Sequence, residues 1–440
     1  MRILHFTNNL FDGGGKAVYA LHTGLQKAGV HSTILVQKKI DEDEFVFQVC
    51  GKYPLLKFST ISILKKQLIG YYLRKVLAKL RVTSFLQLDL FNYGLSFTNI
   101  DRLKKYLNDI DIICFYSIQE FLSPKLIREI VLEANVPVVW TTMDNEPLSG
   151  GCHFNGECDR YHNSCGECPK LLINSKNDLS KKLLNEKTRY LNDLPITFIA
   201  ASNWVKKQIS CSSVFKGNDI VKIMLGVDHN IFKQGDKKTA RKELGIPHDK
   251  KIILFGCFNL NDKRKGGGYL VESFRYLHNI ININYQDLKN NVMLVTFGNS
   301  KAIKLPTDIS FKSLHLGQID DDQVLAKALQ TADVFVSPSI DDFGPRIVIE
   351  AFSCEIPVVS YNLGVAPDLI TDNKDGFIID KYETKEFAKA ILNCLLNKKT
   401  SITNEDNKLR VSCQLDYQVK QYKKLFGDLV FNYDRKIIND

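Results

Sequence analysis

The sequence predicts an α/β protein built from two doubly wound parallel sheets, each in its own domain. Three observations support this prediction. The chain has 440 residues, which is too long for one ordinary core and favours two domains. Short apolar runs alternate with amphipathic helical patterns, as in β-α-β units. The alternation stops near residue 226 and starts again near residue 251, so a second sheet of the same kind is expected.

The first half opens with an apolar run at residues 3–7 and a helical pattern at 16–28, where Val18, Leu21 and Leu25 share one face. Further candidate strands are residues 33–36, 111–116, 137–141 and 196–200. Each run leads into a polar or glycine-bearing loop. Loops at the carboxyl ends of parallel strands are where such folds bind ligands.

The second half has apolar runs at residues 251–256, 292–297, 334–337, 357–360 and 377–379. Gly226, Val227 and Asp228 form the candidate linker, and residues 415–431 are predicted as one helix. We therefore expect an N-terminal domain at 1–215, with a cysteine-rich loop at 150–170, and a C-terminal domain at 216–410. The segment 411–440 is expected to pack back toward the first domain.

The composition favours an enzyme that binds anions. Charged residues make up 25% of the chain and the net charge is +10, which suits a nucleotide diphosphate, an acidic lipid surface or a nucleic acid. The basic residues lack the aromatic stacking modules of nucleic-acid binders, so nucleic acid is not expected. The sequence has no run of about 18 apolar residues, so no membrane span is predicted. Because the first residues enter a strand directly, with no secretory pattern, a cytoplasmic location is expected.

A glycine-rich loop follows the first predicted strand. Asp12 precedes Gly13, Gly14 and Gly15 at the start of a helix, where free backbone N–H groups attract anions. The loop is neither a G-x-G-x-x-G nor a P-loop motif. It predicts either a phosphate-binding loop or a tight turn that holds no ligand.

A cationic loop follows the first strand of the second domain. Asp262 is followed by Lys263, Arg264 and Lys265 and then by three glycines at 266–268. Fixed positive charge at a strand end suits a diphosphate leaving group. A solvated surface cluster is the alternative.

An acidic loop follows the strand at 334–337. Asp341 and Asp342 precede a helix that begins near Arg346 and carries Glu350. Such carboxylates can accept hydrogen bonds from sugar and ribose hydroxyls, while helix-start amides meet phosphate. Ordinary helix capping is the alternative for the acidic residues.

Residues 337–359 resemble the signature of glycosyltransferase family 4, whose members have the two-domain GT-B fold. The shared features are a carboxylate, Phe343-Gly344, Glu350 and the Cys-x-x-Pro-Val-Val strand at 354–359. Residues 362–370, 375–377, 264–266 and 226–228 extend the resemblance over essentially the whole chain. It implies two Rossmann-like domains that face each other across a cleft, with donor bound by the second domain and acceptor by the first.

The resemblance also implies the site residues, with catalytic roles for four of them. Arg264 and Lys265 would bind the donor diphosphate, Glu350 the ribose, and Asp342 the donor sugar. The further donor-binding residues implied are Gly364, Val365 and Gly298. The loop near the acceptor and the phosphates would comprise Gly13, Gly14, Gly15 and Asp144.

Three departures from the family pattern stand out. Asp341 and Asp342 compete for the first carboxylate position, which is usually a glutamate. Leu260 replaces an arginine, so Arg264 is expected to do its work. Residues 140–153 resemble a Thr-Leu-His-Asp segment of a colanic-acid-type subgroup, but Met143 stands in place of the histidine that helps to hold the donor sugar, and a thioether cannot donate a comparable hydrogen bond.

Four cysteines crowd into 17 residues: Cys152, Cys158, Cys165 and Cys168. Four thiolates suit a closed, tetrahedral structural zinc site; free thiols or disulfides are the alternatives. The same subgroup carries these cysteines. A catalytic metal is not expected, because a four-sulfur set leaves no open coordination position.

A basic stretch at residues 55–85 interleaves cations with leucine, isoleucine and tyrosine. It predicts either an amphipathic helix on an anionic membrane or a helix packed on the first domain with its cations solvated.

The sequence therefore predicts a retaining glycosyltransferase that transfers a sugar from a nucleotide diphosphate to a polysaccharide or a lipid-linked oligosaccharide. Retaining transfer in this fold is thought to use the departing phosphate to deprotonate the acceptor, so the loss of a histidine need not abolish it. Two alternatives remain open: a sugar-nucleotide epimerase, and an inactive or accessory nucleotide-sugar-binding protein.

Overall fold

The computed structural model of the chain describes residues 1–38, 43–50, 91–96, 98–171, 174–299, 303–371, 374–396 and 404–439. The chain divides into two units: Met1–Met224 together with Gln418–Asp440, and Leu225–Tyr417. Each unit is built on its own parallel sheet, as the sequence predicts.

The first unit has seven strands in its described part, in the order β3-β2-β1-β4-β5-β6-β7, and all the neighbours pair in parallel. The strands are β1 (Arg2–Thr7), β2 (His31–Val36), β3 (Val46–Gln48), β4 (Ile112–Phe115), β5 (Val138–Thr141), β6 (Ile196–Ala200) and β7 (Ile220–Lys222). The helices are α1 (Gly13–Lys27), α2 (Ile100–Leu107), α3 (Pro124–Ala134), α4 (Leu179–Leu191) and α5 (Asn203–Ser210).

The second unit has six strands among its described residues, in the order β10-β9-β8-β11-β12-β13, again all parallel. They are β8 (Lys251–Gly256), β9 (Val292–Phe297), β10 (Lys312–His315), β11 (Val334–Ser337), β12 (Val358–Tyr361) and β13 (Gly376–Ile379). The helices are α6 (Lys237–Glu243), α7 (Gly267–Asn284), α8 (Asp322–Gln330), α9 (Arg346–Ser353), α10 (Ala366–Leu369), α11 (Thr384–Leu396) and α12 (Asn404–Ser412). The last helix, α13 (Leu415–Asn439), contributes residues from Gln418 onward to the first unit.

Both sheets reverse their strand order once. The reversal lies between β1 and β4 in the first sheet and between β8 and β11 in the second. Doubly wound folds bind ligands outside the carboxyl ends of the strands at this switch point. The cationic loop follows β8 and the acidic loop follows β11. Because these two strands are parallel neighbours, both loops lie at the carboxyl edge of the second sheet.

The first unit extends beyond the predicted boundary at residue 215. β7 pairs with β6 through Phe198 and Ile220 and so completes the first sheet, which moves the division to Met224 and Leu225. In the last helix, the Tyr422 hydroxyl lies 2.9 Å from Oγ1 of Thr141 at the end of β5. The candidate linker is hydrogen-bonded to the segment before the last helix, since the Val227 N–H donates to the Cys413 carbonyl at 2.9 Å.

Three edge strands were missed by the sequence analysis: β3, β7 and β10. Each has only three or four residues, and at most one of these is buried. These three strands pair on one side only, and their few residues form no continuous buried apolar run that would mark them in the sequence.

The predicted membrane-binding stretch at 55–85 lies outside the described residues. Among the residues that are described, no helix is both long and apolar enough to cross a bilayer.

A chain of buried polar side chains crosses the core of the first unit. His5 Nδ1 lies 3.0 Å from the Tyr116 hydroxyl, and its Nε2 lies 2.9 Å from the Ser32 hydroxyl, which in turn lies 2.7 Å from His22 Nδ1. Burial, together with the smaller effect of nearby His22, lowers the pKa of His5 from 6.5 to about 3. His5 is therefore neutral in the folded chain.

This histidine predicts a specific acid sensitivity. Below pH 6.5 the unfolded chain takes up a proton that His5 in the folded chain refuses until about pH 3, so stability is lost as the pH falls across this window, by up to about 1.4 kcal/mol per pH unit. In urea unfolding at several pH values, His5→Gln should lose this part of the slope, while the exposed control His31→Gln should keep it. Identical slopes for His5→Gln and the wild type would contradict the assignment.

Candidate active site

The cationic and acidic loops of the second unit are joined by an ion pair. Lys265 Nζ lies 2.5 Å from Oδ2 of Asp342, and both side chains are largely buried. Burial alone would raise the pKa of Asp342, but the positive charges of Lys265 and Arg264, with hydrogen bonds from Lys265 and the Gly344 amide, together lower it. The carboxylate is therefore ionised beside a cation at the switch point of the sheet.

Arg264 is held by its own loop. Its Nη2 lies 2.5 Å from Oδ2 of Asp262, and its Nη1 donates to the Asp341 carbonyl at 3.2 Å. The Ile340 N–H donates back to the Arg264 carbonyl at 2.8 Å. These bonds fix the cationic loop against the acidic loop. Because the Arg264 guanidinium is engaged in these bonds, Lys265 is the more direct candidate for a diphosphate contact. Both cations lie in the loop at the carboxyl edge of the second sheet.

Of the two competing aspartates, Asp342 carries the bond to Lys265. The side chain of Asp342 also accepts from the Gly344 N–H at 3.3 Å, whereas Asp341 offers its backbone carbonyl to Arg264. Both residues are more than nine-tenths buried. The geometry thus gives the two neighbours different roles.

Two glycines allow the loops to approach closely. Gly266 has φ +74°, and a Cβ there would lie 1.7 Å from the Pro338 carbonyl oxygen. Gly364, with φ +62°, lies against Asp342 and Pro345, where a Cβ would be 3.2 Å from each. A side chain at either position would strain the backbone and push the loops apart.

Glu350 lies on α9, which begins two residues after Gly344. Its Oε1 is 3.1 Å from Nε of Arg346, and the carboxylate is buried. Arg346 also lies 3.7 Å from Asp322. The pair fixes the direction of the Glu350 side chain.

The backbone amides of the predicted donor loop differ in their availability. No hydrogen bond from the N–H of Gly364 or Val365 is found in the described part of the chain, so both can donate to a ligand. The Gly298 N–H, in contrast, donates to the Gly317 carbonyl at 2.8 Å. Gly298 permits a close approach to the Cys257 carbonyl, and its amide is already used.

In the first unit, the glycine loop lies beside Met143. A Cβ on Gly14 would lie 3.9 Å from Met143, and one on Gly15 would clash with the Asn9 carbonyl oxygen at 2.4 Å. Asp12 caps α1 by accepting from the Gly15 N–H at 2.7 Å. Gly15 is thus explained by packing, while Gly13 has open space around its Cα.

The loop after β5 contains a buried charge network that the sequence analysis missed. Lys187 on α4 places its Nζ 2.6 Å from Oε1 of Glu146 and 2.9 Å from the Ser149 carbonyl oxygen. Asn92 donates to the same Glu146 oxygen at 2.8 Å. A sequence signal was present: the buried face of α4 combines Leu183, Leu184, Lys187 and Leu191, so one cation interrupts an apolar stripe.

A second pair lies in the same loop. Nδ1 of His153 lies 2.7 Å from Oδ2 of Asp144, and both residues are buried. Burial alone would lower the pKa of His153, but the Asp144 and Glu146 carboxylates outweigh burial and raise it. Asp144 was predicted from the family resemblance; its histidine partner was not.

The four clustered cysteines line one small cavity of about 20 Å³. Backbone N–H groups of Gly150 and Lys170 donate to the sulfurs of Cys165 and Cys168. Burial raises the pKa of Cys165 to about 12 and that of Cys168 to about 11. The four sulfurs suit zinc chemically. However, among the described residues no three histidine, cysteine or acidic side chains are already spaced to hold a metal ion.

Comparison with known proteins finds a family match within the second unit. Residues 236–409 match the family model described as Glycosyl transferases group 1. A D-inositol 3-phosphate glycosyltransferase of Mycobacteroides abscessus is 26% identical over 181 residues, which are 39% of this chain and 38% of that protein. The Escherichia coli UDP-Gal:alpha-D-GlcNAc-diphosphoundecaprenol alpha-1,3-galactosyltransferase is 25% identical over 215 residues, 47% of this chain and 54% of the relative. The chain thus spans between about two fifths and about half of these relatives.

Solved structures extend the similarity to both units. Sucrose-phosphate synthase from Thermosynechococcus elongatus has a TM-score of 0.62 at 16% identity, covering 98% of this chain and 99% of that one. HepE from Anabaena, solved with UDP and glucose, has a TM-score of 0.54 at 15% identity and covers 100% and 98%. These likenesses confirm the predicted fold class, two parallel-sheet α/β domains with GT-B glycosyltransferases as structural neighbours. The family match and the two glycosyltransferase relatives support the prediction of a transferase enzyme with a glycosyltransferase group 1 domain.

Proposed function

We propose that the chain is a retaining glycosyltransferase of family 4 that moves a sugar from a nucleotide diphosphate to a glycan or lipid-linked acceptor. The observation that carries the proposal is the buried Lys265–Asp342 pair at the switch point of the second sheet. It lies inside the segment that matches the glycosyltransferase group 1 model.

Each group of the site has a task in this reaction. As the bond between sugar and diphosphate breaks, negative charge develops on the leaving phosphate, and the Lys265 ammonium stabilises it. In this proposal the Gly364 and Val365 amides donate to the same group, while Asp342 accepts from a sugar hydroxyl and Glu350 from the ribose. The departing phosphate takes the proton of the attacking acceptor hydroxyl, so no protein base is required.

The similar proteins support a choice of donor and acceptor class. HepE is solved with UDP and with UDP-glucose, which supports a uridine nucleotide as the first donor to try. The Escherichia coli relative is named for a diphosphoundecaprenol acceptor, which supports a lipid-linked acceptor. We therefore place the reaction in the cytoplasm, at the inner face of the membrane.

A donor screen tests the proposal. Nucleoside diphosphates and their sugars should raise the melting temperature of the full chain, because a ligand at 100 times its Kd adds about 2.7 kcal/mol of stability. Glu350→Gln should bind the same nucleotide more weakly. The selected donor is then incubated with lipid-linked acceptors, and proton NMR of the product should show the anomeric configuration of the donor. An inverted product would reject the retaining mechanism, and the absence of any nucleotide effect would reject the donor site.

Met143 favours a second candidate, a nucleotide-sugar-binding protein without transferase activity. It lies beside Gly14, where its thioether cannot donate a hydrogen bond. Such a protein would bind the donor in the same screen and release no sugar, and Met143→His would then be the variant in which to look for activity.

For the cysteine loop we propose a structural zinc ion and no catalytic metal. All four cysteines line one cavity, and a bound ion would have to draw their sulfurs together. Metal analysis of the purified chain should find about one zinc per molecule, lost in Cys165→Ser. A metal-free chain with four titratable thiols, or one with disulfides, would reject the zinc.

A further inference from the structure

The Asp144–His153 pair has the geometry of an oriented imidazole at a ligand-binding edge. It lies in the loop that follows β5, next to the switch point of the first sheet. The residue before Asp144 is Met143, which packs beside Gly14 of the glycine loop. Nothing in the proposed function uses this histidine.

The ring is fixed by several hydrogen bonds. Its Nδ1 is turned to Asp144, whose other oxygen accepts from the Glu146 N–H at 2.9 Å. The Asn145 N–H donates to the His153 carbonyl at 2.7 Å, which ties the two ends of the loop together. A carboxylate on one ring nitrogen holds the imidazole in one orientation.

The other ring nitrogen is the one left for a ligand. Nε2 of His153 has no hydrogen bond partner among the described residues. It is not one of the unpartnered polar atoms that are shielded from solvent. About a tenth of the side chain reaches solvent. Because Nε2 has no partner and is not a buried atom, part of this exposed surface belongs to Nε2.

We propose that His153, oriented by Asp144, binds a sugar hydroxyl of the substrate through Nε2 at this edge of the first sheet. The inference rests on the proposed function, since it takes a sugar as the ligand. Met143 leaves a neighbouring position without a polar group, and His153 supplies one from the other end of the same loop.

The test compares four variants with the wild type, using the donor and acceptor found in the screen. His153→Ala should lower kcat/KM by about 10-fold, the loss of one hydrogen bond to a substrate group, and should leave binding of the nucleoside diphosphate alone unchanged. Asp144→Asn should lower kcat/KM less, because the ring remains but loses its orientation. His153→Gln, which keeps an amide at the position, should recover part of the activity. Met143→His in the His153→Ala background should also recover part, since it returns an imidazole beside Asp144.

Two results would overturn the inference. One is a wild-type kcat/KM in His153→Ala. The other is an equal loss in all four variants with lower melting temperatures and weaker diphosphate binding, which would make the pair structural. Should His153→Ala fail to fold, the comparison of His153→Gln with Asp144→Asn decides in the same way. A wild type that transfers no sugar would reject the proposed function and this inference together.

Discussion

Replacing Lys265 by alanine should lower the rate of sugar transfer by about 100- to 1,000-fold. A fixed donor to a developing oxyanion is worth this much in enzymes where it has been removed. The loss should appear mainly in kcat, since the charge on the leaving phosphate is greatest in the transition state. Steady-state kinetics with the donor from the screen measures it.

The neighbouring residue Lys263 offers a matched control. It belongs to the same basic run and is exposed, so Lys263→Ala should change kcat by less than about threefold. Because Lys265→Ala also leaves Asp342 without its partner, its melting temperature is compared with that of Lys265→Ala/Asp342→Asn. A double variant that regains stability would show that the unpaired carboxylate causes the stability loss, and a kcat of Lys265→Ala that stays low below its melting temperature would show that the catalytic loss is separate. Equal activity of the Lys263 and Lys265 variants would contradict the site.

Replacing Lys187 by methionine should destabilise the first unit by about 3–5 kcal/mol, the cost of leaving one member of a buried ion pair unpaired. Lys187 holds Glu146 and the carbonyl of Ser149 in the loop after β5, and both side chains of the pair are more than nine-tenths buried. Urea unfolding followed by circular dichroism measures the loss.

The double variant Lys187→Met/Glu146→Gln should recover part of this stability, because the uncompensated charge is gone. The control is Arg189→Met, which removes an exposed cation from the same helix and should cost less than about 1 kcal/mol. A Lys187→Met chain as stable as the Arg189→Met chain would show that Glu146 finds another partner.

The parts of the fold that could be predicted from the sequence are those with continuous apolar runs. β6, β8, β9 and β11 have the predicted limits, because most of their residues are both apolar and buried. The edge strands β3, β7 and β10 could not be found this way, since backbone pairing with a neighbour creates them.

The candidate site shows the same division. The loops that carry Lys265 and Asp342 were identified from charge, glycine and position after a strand, but their direct bond depends on β8 and β11 being neighbours. The pairing of Asp144 with His153 could not be predicted from the sequence, because it depends on how two residues nine positions apart come together in one loop. The sequence also could not predict that the Gly298 N–H is bonded within the protein while the Gly364 N–H can donate to a ligand.

The most direct test of the proposed donor site is a crystal structure of the full chain with the nucleoside diphosphate that stabilises it most. We expect the diphosphate within about 3 Å of Lys265 Nζ, with the amides of Gly364 and Val365 on the same group and the Glu350 carboxylate on the ribose. A nucleotide bound elsewhere, with the Lys265–Asp342 pair untouched, would contradict it.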